Sequence, residues 1–244
     1  PEMERIEAIE SFAADVSHEL KNPLTSLRSA VETLPLAKTE DSKKRLMDVI
    51  QHDVKRLDRL ITDISDASRL DADLVRDQVG TVELDTLVRN IVDASREVKK
   101  GSKKANITFE IVHNRYTKQG FAITGHDTRI GQVINNLIDN AVSFVPSTKG
   151  KVSITLDRVR NTIKLTVEDN GPGIAAEDVD RVFERFYTDR PESEGFGQNS
   201  GLGLSISRQI IEAHRGTIRA ENRNNKKAGS NETGACFIVE LPAI

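Results

Sequence analysis

The chain has 244 residues, which is enough for one large domain or two modest ones. Charged residues make up 30% of it and the formal net charge is −3, so the composition gives no general electrostatic footprint for nucleic acid. Aromatic residues account for 4% and tryptophan is absent, which indicates aliphatic, helix-rich cores.

A single cysteine, Cys236, excludes an internal disulfide and suits a reducing compartment. It lies in the apolar run 235–239, which predicts a buried structural thiol. The sequence has no apolar run near 18 residues and no signal peptide, so we expect this segment neither to span a membrane nor to be exported. A helical pattern is already under way at residues 1–6, so we expect the segment to come from a longer protein.

Residues 2–36 carry apolar side chains three or four positions apart, as a bundle helix requires. Pro35 and the polar residues after it end this pattern, and Asp41 or Ser42 is predicted to cap a second helix. The two helices predict an αα-hairpin. Because a lone hairpin cannot enclose a core, we expect a four-helix bundle made by a dimer; packing against the chain's own downstream domain is the alternative.

A histidine and a carboxylate, His18 and Glu19, lie side by side in the first helix, with His18 off the apolar stripe and toward solvent. A neutral imidazole can attack an electrophile, and Glu19 can accept the proton from its other nitrogen. Asn22 lies on the same helical face and could position a water or a phosphoryl oxygen. Pro23 removes the helical partner of the Glu19 carbonyl, so a bend is predicted there. An ordinary exposed histidine remains the alternative.

Residues 73–82 are polar and without periodicity, which predicts a linker and hinge between two domains. Beyond them the pattern predicts an α/β sandwich with helices on one face of a mixed sheet. The predicted helices span 83–100, 129–144 and 202–214, and the predicted strands span 107–112, 121–125, 152–159, 163–168, 217–222 and 235–241. Residues 223–233 are predicted to be a mobile connection between the last two strands.

Two asparagines lie one turn apart on the predicted helix 129–144, Asn136 and Asn140. A neutral amide oxygen suits Mg²⁺, which keeps several waters and takes its other ligands from phosphates. Asn140 and Asn136 are therefore candidates for a site that holds a metal and a nucleotide phosphate.

A glycine turn follows the predicted strand 163–168. Gly171 and Gly173 let the backbone approach a planar ring, and Asp169 can accept a hydrogen bond from an exocyclic amine such as that of adenine. The sequence therefore predicts an adenine-binding turn here.

A second glycine-rich stretch, 195–204, runs straight into a predicted helix whose N-terminus is a phosphate site. Between the two stretches, residues 183–187 are predicted to anchor a lid over the nucleotide, and Arg185 could contact phosphate. The chain contains no P-loop, and Gly201-Leu202-Gly203 is no Rossmann fingerprint because it follows a lid and not a strand. Each segment is weak alone, but the four in this order predict nucleotide binding.

With these motifs the chain resembles the cytoplasmic kinase core of two-component sensor histidine kinases, over essentially all of its length. Residues 1–72 resemble the dimerisation and histidine-phosphotransfer domain, and 83–244 the catalytic ATP-binding domain of the Bergerat type. Residues 140–146 and 213–217 further resemble the ChvG/BvrS type of envelope-stress sensor.

The resemblance implies a homodimer, ATP and Mg²⁺, a response regulator receiver domain as partner, and no nucleic acid or membrane contact in this segment. It also implies the cytoplasmic part of an inner-membrane sensor. It implies His18 as phosphoacceptor, Glu19 as its acid–base partner and Asn22 as the residue orienting the water that removes phosphate from the partner. In the ATP-binding domain it implies Asn140 on Mg²⁺ beside Asn136, Asp169 on adenine, and a pocket shaped by Gly171, Gly173, Gly201, Leu202 and Gly203.

Ser143 departs from the family pattern, because many relatives carry a lysine three residues after the metal asparagine. Arg185 or Arg190 is the candidate to replace that phosphate contact.

Two other functional classes compete with a histidine kinase. An ATP-hydrolysing machine of the same superfamily needs a glutamate at position 136, and an asparagine cannot take a proton from water. A dimeric scaffold that binds nucleotide only as a switch is the third class, although no residue needed for catalysis is missing.

Overall fold

A computed structural model describes residues 2–76, 79–98, 105–175, 177–187, 200–223 and 233–244. Two long helices come first, α1 (Glu2–Thr33) and α2 (Glu40–Arg76), joined through the short 3-10 helix Leu34–Leu36. The α-helices and β-strands that follow are, in chain order, β1 (Gly80–Glu83), α3 (Leu84–Val98), β2 (Asn106–Ile111), β3 (Ala122–Gly125), α4 (Asp127–Phe144), β4 (Lys151–Val159), β5 (Thr162–Asp169), α5 (Gly203–Ala213), β6 (Thr217–Asn222) and β7 (Ala235–Pro242).

The chain divides into two compact units. The first is Pro1–Arg69 with Phe186–Leu202, and the second is Leu70–Arg185 with Gly203–Ile244. The predicted mobile connection between the last two strands falls largely on residues 224–232, which lie outside the described residues.

The first unit contains the predicted αα-hairpin. The prediction that Asp41 or Ser42 caps its second helix is wrong. The cap is Thr39, whose Oγ1 accepts the backbone N–H of Ser42 at 3.2 Å. Ala30 and Leu60 are buried. Several apolar side chains are 44% to 56% exposed on the same two helices, namely Leu24, Val31, Val54 and Ile61. The hairpin by itself therefore leaves part of its apolar surface in water.

The second unit is the predicted α/β domain, built on a five-stranded sheet in the order β2-β4-β5-β7-β6. Strands β2 and β4 are parallel and the other neighbours are antiparallel, so the sheet is mixed as predicted. Buried and partly exposed residues alternate along β4 and β5, because successive side chains point to opposite faces. On α4, the residues that face the core are buried: Ile130, Gly131, Val133, Ile134, Leu137, Ile138, Ala141 and Val142.

The predicted linker at 73–82 is largely regular structure. Helix α2 continues to Arg76, and β1 begins at Gly80 and pairs antiparallel with β3. Charged side chains do not prevent a helix from continuing, and the partner of β1 lies about 40 residues further along the chain, so local composition could not indicate it. No helix within the described ranges is long and apolar enough to cross a bilayer.

Candidate functional site

The predicted phosphoacceptor lies on α1 in the first unit. His18 and Asn22 are exposed, as their position off the apolar stripe predicted, and Glu19 is partly buried. Pro23 is buried, and α1 continues through it to Thr33. An imidazole at this position is open to an incoming phosphoryl donor.

Glu19 is held by a residue that the sequence analysis did not single out. Nη2 of Arg56, on α2, donates a hydrogen bond of 3.0 Å to Oε2 of Glu19. The two side chains are 16% and 26% exposed, respectively. They are 37 residues apart in sequence, so only the antiparallel pairing of the two helices could have indicated this contact.

The two asparagines of the predicted metal site lie on α4 in the second unit, and both are partly exposed. Nδ2 of Asn136 donates to the carbonyl of Gly203 at 3.1 Å and approaches Oγ of Ser207 at 3.3 Å. This contact brings the predicted metal helix and the start of α5, the predicted phosphate site, together. Asn140 lies one helical turn after Asn136, toward the C-terminus of α4.

Asp169, the predicted adenine-binding residue, is the last residue of β5 and is 3% exposed. Its Oδ1 accepts the backbone N–H groups of Gly171 at 2.8 Å and Ala235 at 3.1 Å. Burial raises the pKa of Asp169, and these two hydrogen bonds only partly oppose that effect. Because both bonds engage Oδ1, Oδ2 is the atom placed to accept a hydrogen bond from a ligand.

The turn after Asp169 is clamped by backbone and side-chain contacts. A Cβ on Gly171 would lie 2.9 Å from the carbonyl oxygen of Phe144, so the turn packs closely on the end of α4. Gly173 has φ of +85°, which favours glycine. Asn222 accepts the N–H of Ile174 at 2.7 Å and donates to its carbonyl at 2.6 Å.

Asn222 was not foreseen, since an asparagine at the end of a strand carries no local signal of such a role. It fixes the conformation of the turn that carries the predicted adenine-binding residue.

The described part of the second glycine stretch makes a close backbone approach inside the first unit. Gly201 has φ of +75°, and a Cβ there would lie 2.6 Å from Cα of Phe186. Its carbonyl accepts the N–H of Phe186 at 2.9 Å. Arg185 is exposed, and Leu202 is buried. The alternative phosphate ligand, Arg190, and the glycines at 195 and 197 lie outside the described residues.

The remaining titratable groups form no metal cluster within the described residues. Cys236 is buried as predicted, and burial raises its pKa to about 12. His214 caps the end of α5, with Nδ1 2.7 Å from the carbonyl oxygen of Ile210. It also contacts His126. The two residues are 88 positions apart, so no local pattern in the sequence indicated this contact.

Two protein families match the chain. Residues 8–73 match the His Kinase A (phospho-acceptor) domain, and residues 125–244 match the histidine kinase-, DNA gyrase B- and HSP90-like ATPase domain. The first range covers most of the helical hairpin and includes His18, and the second covers the α/β domain from the end of β3 onward and includes Asn140 and Asp169.

Individual proteins agree with this assignment. The chain is 61% identical over 240 residues to the sensor protein ChvG of Rhizobium meliloti (strain 1021), covering 98% of this chain and 41% of that protein. It is 60% identical over 240 residues to the sensor protein ChvG of Agrobacterium fabrum (strain C58), covering 98% of this chain and 40% of that protein. The chain therefore spans about two fifths of the length of these curated relatives.

A solved structure of the histidine kinase ThkA in complex with the response regulator protein TrrA is also similar. The match has a TM-score of 0.74 at 26% identity and covers 99% of this chain and 64% of that one. The similarity thus extends over the hairpin and the α/β domain.

Proposed function

We propose that the chain transfers a phosphoryl group from ATP to His18 and then passes it to an aspartate of a response regulator. The chain belongs to the sensor histidine kinases, of the ChvG type, and it combines a phospho-acceptor domain with an ATP-binding domain of that family. The observation that carries this proposal is the exposure of His18 beside a partly buried Glu19 on α1. The same site is proposed to serve dephosphorylation of the regulator, with Asn22 orienting the attacking water.

The proposed chemistry at His18 is in-line phosphoryl transfer. One ring nitrogen of the neutral imidazole forms a bond to the γ-phosphorus, and the bond from that phosphorus to the bridging oxygen breaks. ADP leaves with that electron pair. Glu19 accepts the proton of the other ring nitrogen, so no positive charge remains on the imidazole.

The ATP site is proposed to use the residues around α4 and α5. Oδ2 of Asp169 accepts the adenine amine, and the clamped glycine turn lets the backbone approach the ring. The N-terminus of α5, next to Asn136, points N–H groups at phosphate. Gly201 and Leu202 are proposed to shape the loop before it, and Arg185 to contact phosphate in place of the lysine that Ser143 replaces.

Asn140 is proposed as the protein ligand of Mg²⁺. Its neutral amide oxygen and its partial exposure on α4 fit an ion that keeps most of its waters. When bound, Mg²⁺ neutralises negative charge on the phosphates of the donor. Asn136, in place of the glutamate of the hydrolysing relatives, has its amide engaged with Gly203 and Ser207, which favours transfer to His18 over hydrolysis by water.

The assembly is proposed to be a homodimer through the hairpin. The apolar side chains left 44% to 56% exposed on α1 and α2 support this, because a second copy would cover them. The domain limits are proposed at 1–72 and 83–244. The segment between them is the proposed hinge, although most of it is regular structure. The parent protein is proposed to be a membrane sensor, with this segment on its cytoplasmic side.

The proposal is tested by incubating the chain and a His18→Gln variant with γ-labelled ATP and Mg²⁺. We expect label on the wild type that is acid-labile, alkali-stable and absent from the variant. ATP binding without label would favour the scaffold, and free phosphate without labelled protein would favour the hydrolase. Transfer is then followed by adding receiver domains to the labelled kinase and measuring loss of the phosphohistidine.

A further inference from the structure

The ion pair between Glu19 and Arg56 differs in kind from the ion pairs on the surface of the hairpin. It joins α1 to α2, and its side chains are 26% and 16% exposed. The pairs Arg28–Glu32 and Arg45–Asp41 each lie within one helix, with side chains 64% to 80% exposed. Exposed pairs of that kind contribute little, because water and salt compete for both charges.

A partly buried, charge-assisted bond restricts a carboxylate much more than a surface pair does. An exposed glutamate on a helix samples several rotamers, and ordering it costs entropy. The 3.0 Å bond from Nη2 of Arg56 to Oε2 of Glu19 selects one arrangement before any phosphoryl donor arrives. It leaves the second carboxylate oxygen, Oε1, for a different partner.

His18 is the candidate for this second partner, because it directly precedes Glu19 in the sequence. For the carboxylate to fix the tautomer of the imidazole and accept its proton, one oxygen must be held toward the ring. The guanidinium of Arg56, bound to the other oxygen, holds the carboxylate in that orientation. In other nucleophile–base pairs a third group orients the base in the same way.

We propose that Arg56 is a positioning residue for phosphoryl transfer at His18, acting by holding the Glu19 carboxylate across the hairpin. The inference rests on the proposed function, because it assigns a role in that same reaction. Arg56 acts through Glu19, so its effect must vanish once Glu19 no longer carries a carboxylate.

The test is a double-mutant cycle on the whole 244-residue chain, with γ-labelled ATP and Mg²⁺ at a saturating ATP concentration. The variants are Arg56→Gln, Glu19→Gln, the two combined, Arg56→Lys, and Arg45→Gln as the control for loss of an arginine from α2. The initial rate of acid-labile labelling, the melting temperature and the affinity for ATP are measured for each.

We expect Arg56→Gln to slow labelling by about tenfold to a hundredfold, the size of effect that misplacing a reacting group produces. The combined variant should label as slowly as Glu19→Gln alone. Arg56→Lys should restore most of the rate because it returns the charge. Arg45→Gln should label like wild type, and ATP affinity should be unchanged throughout.

Four results would overturn the inference. Arg56→Gln labelling at the rate of Arg45→Gln would show no role, and a combined variant slower than Glu19→Gln by the full Arg56 factor would show that Arg56 does not act through Glu19. If Arg56→Gln melts below the assay temperature, the cycle is run at a lower temperature at which all the variants are folded, and a labelling loss that tracks melting temperature and not the charge on residue 19 would show a purely structural role. A wild type that binds ATP and takes up no label would contradict the proposed function itself, and the inference with it.

Discussion

The backbone N–H of His126 donates a hydrogen bond of 3.1 Å to Nε2 of His214, which joins the residue before α4 to the end of α5. On the other side of the same ring, Nδ1 of His214 lies 2.7 Å from the carbonyl oxygen of Ile210. The two contacts together require the tautomer with its proton on Nδ1. A proton on Nε2 would face the N–H of His126 and break this link between the two helices of the proposed ATP site.

Acidification should therefore destabilise the ATP-binding domain through His214. Burial, with a smaller contribution from His126, lowers the pKa of His214 below its usual 6.5. The unfolded state then takes up the proton first, so stability is complete above the unfolded pKa and is lost as pH falls from 6.5 toward the folded value. Urea denaturation at pH 7.5 and 5.5 should show a smaller loss in His214→Gln than in the wild type. His113→Gln, at an exposed histidine, should keep the wild-type loss; equal losses in all three would contradict the prediction.

Replacing Asp169 with Asn should separate stability from nucleotide binding. Because burial raises the pKa of Asp169, ionisation of this residue opposes folding once pH rises through the folded pKa. An asparagine keeps Oδ1 as acceptor for Gly171 and Ala235, so we expect unfolding free energy at pH 7 to stay level or rise by about 1 kcal/mol. ATP affinity should fall by about tenfold or more, because a charged acceptor for the base is lost.

Calorimetric melting without nucleotide and titration with ATP measure these two effects. Asp180→Asn, at an exposed aspartate, is the control and should change neither. Undiminished ATP affinity in Asp169→Asn would remove the proposed contact to adenine.

Gly201→Ala should weaken ATP binding by about tenfold. An alanine at φ of +75° costs about 1–2 kcal/mol, and its Cβ would collide with the backbone of Phe186. The free chain can relax this loop and relieve the strain, whereas the proposed ATP-bound state needs the native loop, so the penalty appears as a loss of about tenfold in affinity. Gly80→Ala is the matched control, since nothing lies within 4 Å of a Cβ at that position. Equal ATP affinity in the two variants would show that the loop binds nucleotide in another conformation.

Asp53→Leu should stabilise the chain by about 1–3 kcal/mol. Asp53 is 6% exposed, its Oδ2 has no hydrogen-bond partner, and its Oδ1 lies 3.6 Å from Nδ1 of His52. A leucine removes a poorly compensated buried acid and puts an apolar side chain at this buried position of α2. Asp48→Leu, at an exposed aspartate of the same helix, should leave the urea midpoint near that of wild type. A lower midpoint for Asp53→Leu would mean that this carboxylate has a partner in the assembled protein.

Pro23→Ala should change the balance between labelling of His18 and dephosphorylation of the response regulator. Alanine supplies the N–H that Pro23 lacks, so the carbonyl of Glu19 regains its helical partner next to the reacting residue. Pro35→Ala, at an exposed proline in the 3-10 turn, is the control. Both rates are measured on the same preparations, and unchanged rates in Pro23→Ala would refute a switching role for this proline.

Local patterns in the sequence predicted the elements whose partners are close in the chain. The three-and-four spacing of apolar residues predicted both helices of the hairpin, and the predicted strands 152–159 and 163–168 correspond to β4 and β5. The exposure of His18 and the burial of Cys236 were confirmed for the same reason, since each follows from its position within one element.

Features that depend on distant partners were missed or misplaced. Strand β1 was assigned to a linker because its partner, β3, is not adjacent in sequence. The contacts of Arg56 with Glu19 and of Asn222 with Ile174 join residues 37 and 48 positions apart. The N-cap of α2 was predicted two or three residues too late, because several adjacent polar side chains could act as the cap. Only the backbone conformation determines which hydroxyl faces the free N–H.

The strand order has a consequence for synthesis of the chain. Strand β7, the last of the described strands, lies inside the sheet between β5 and β6. Until residues 235–242 have left the ribosome, β5 and β6 each lack the neighbour that pairs with them, and an unpaired strand edge invites association with other chains. The helical hairpin needs only the first 76 residues, so it can form long before the ATP-binding sheet is complete. During translation the hairpin with the proposed phosphate acceptor can therefore form before the proposed ATP site exists.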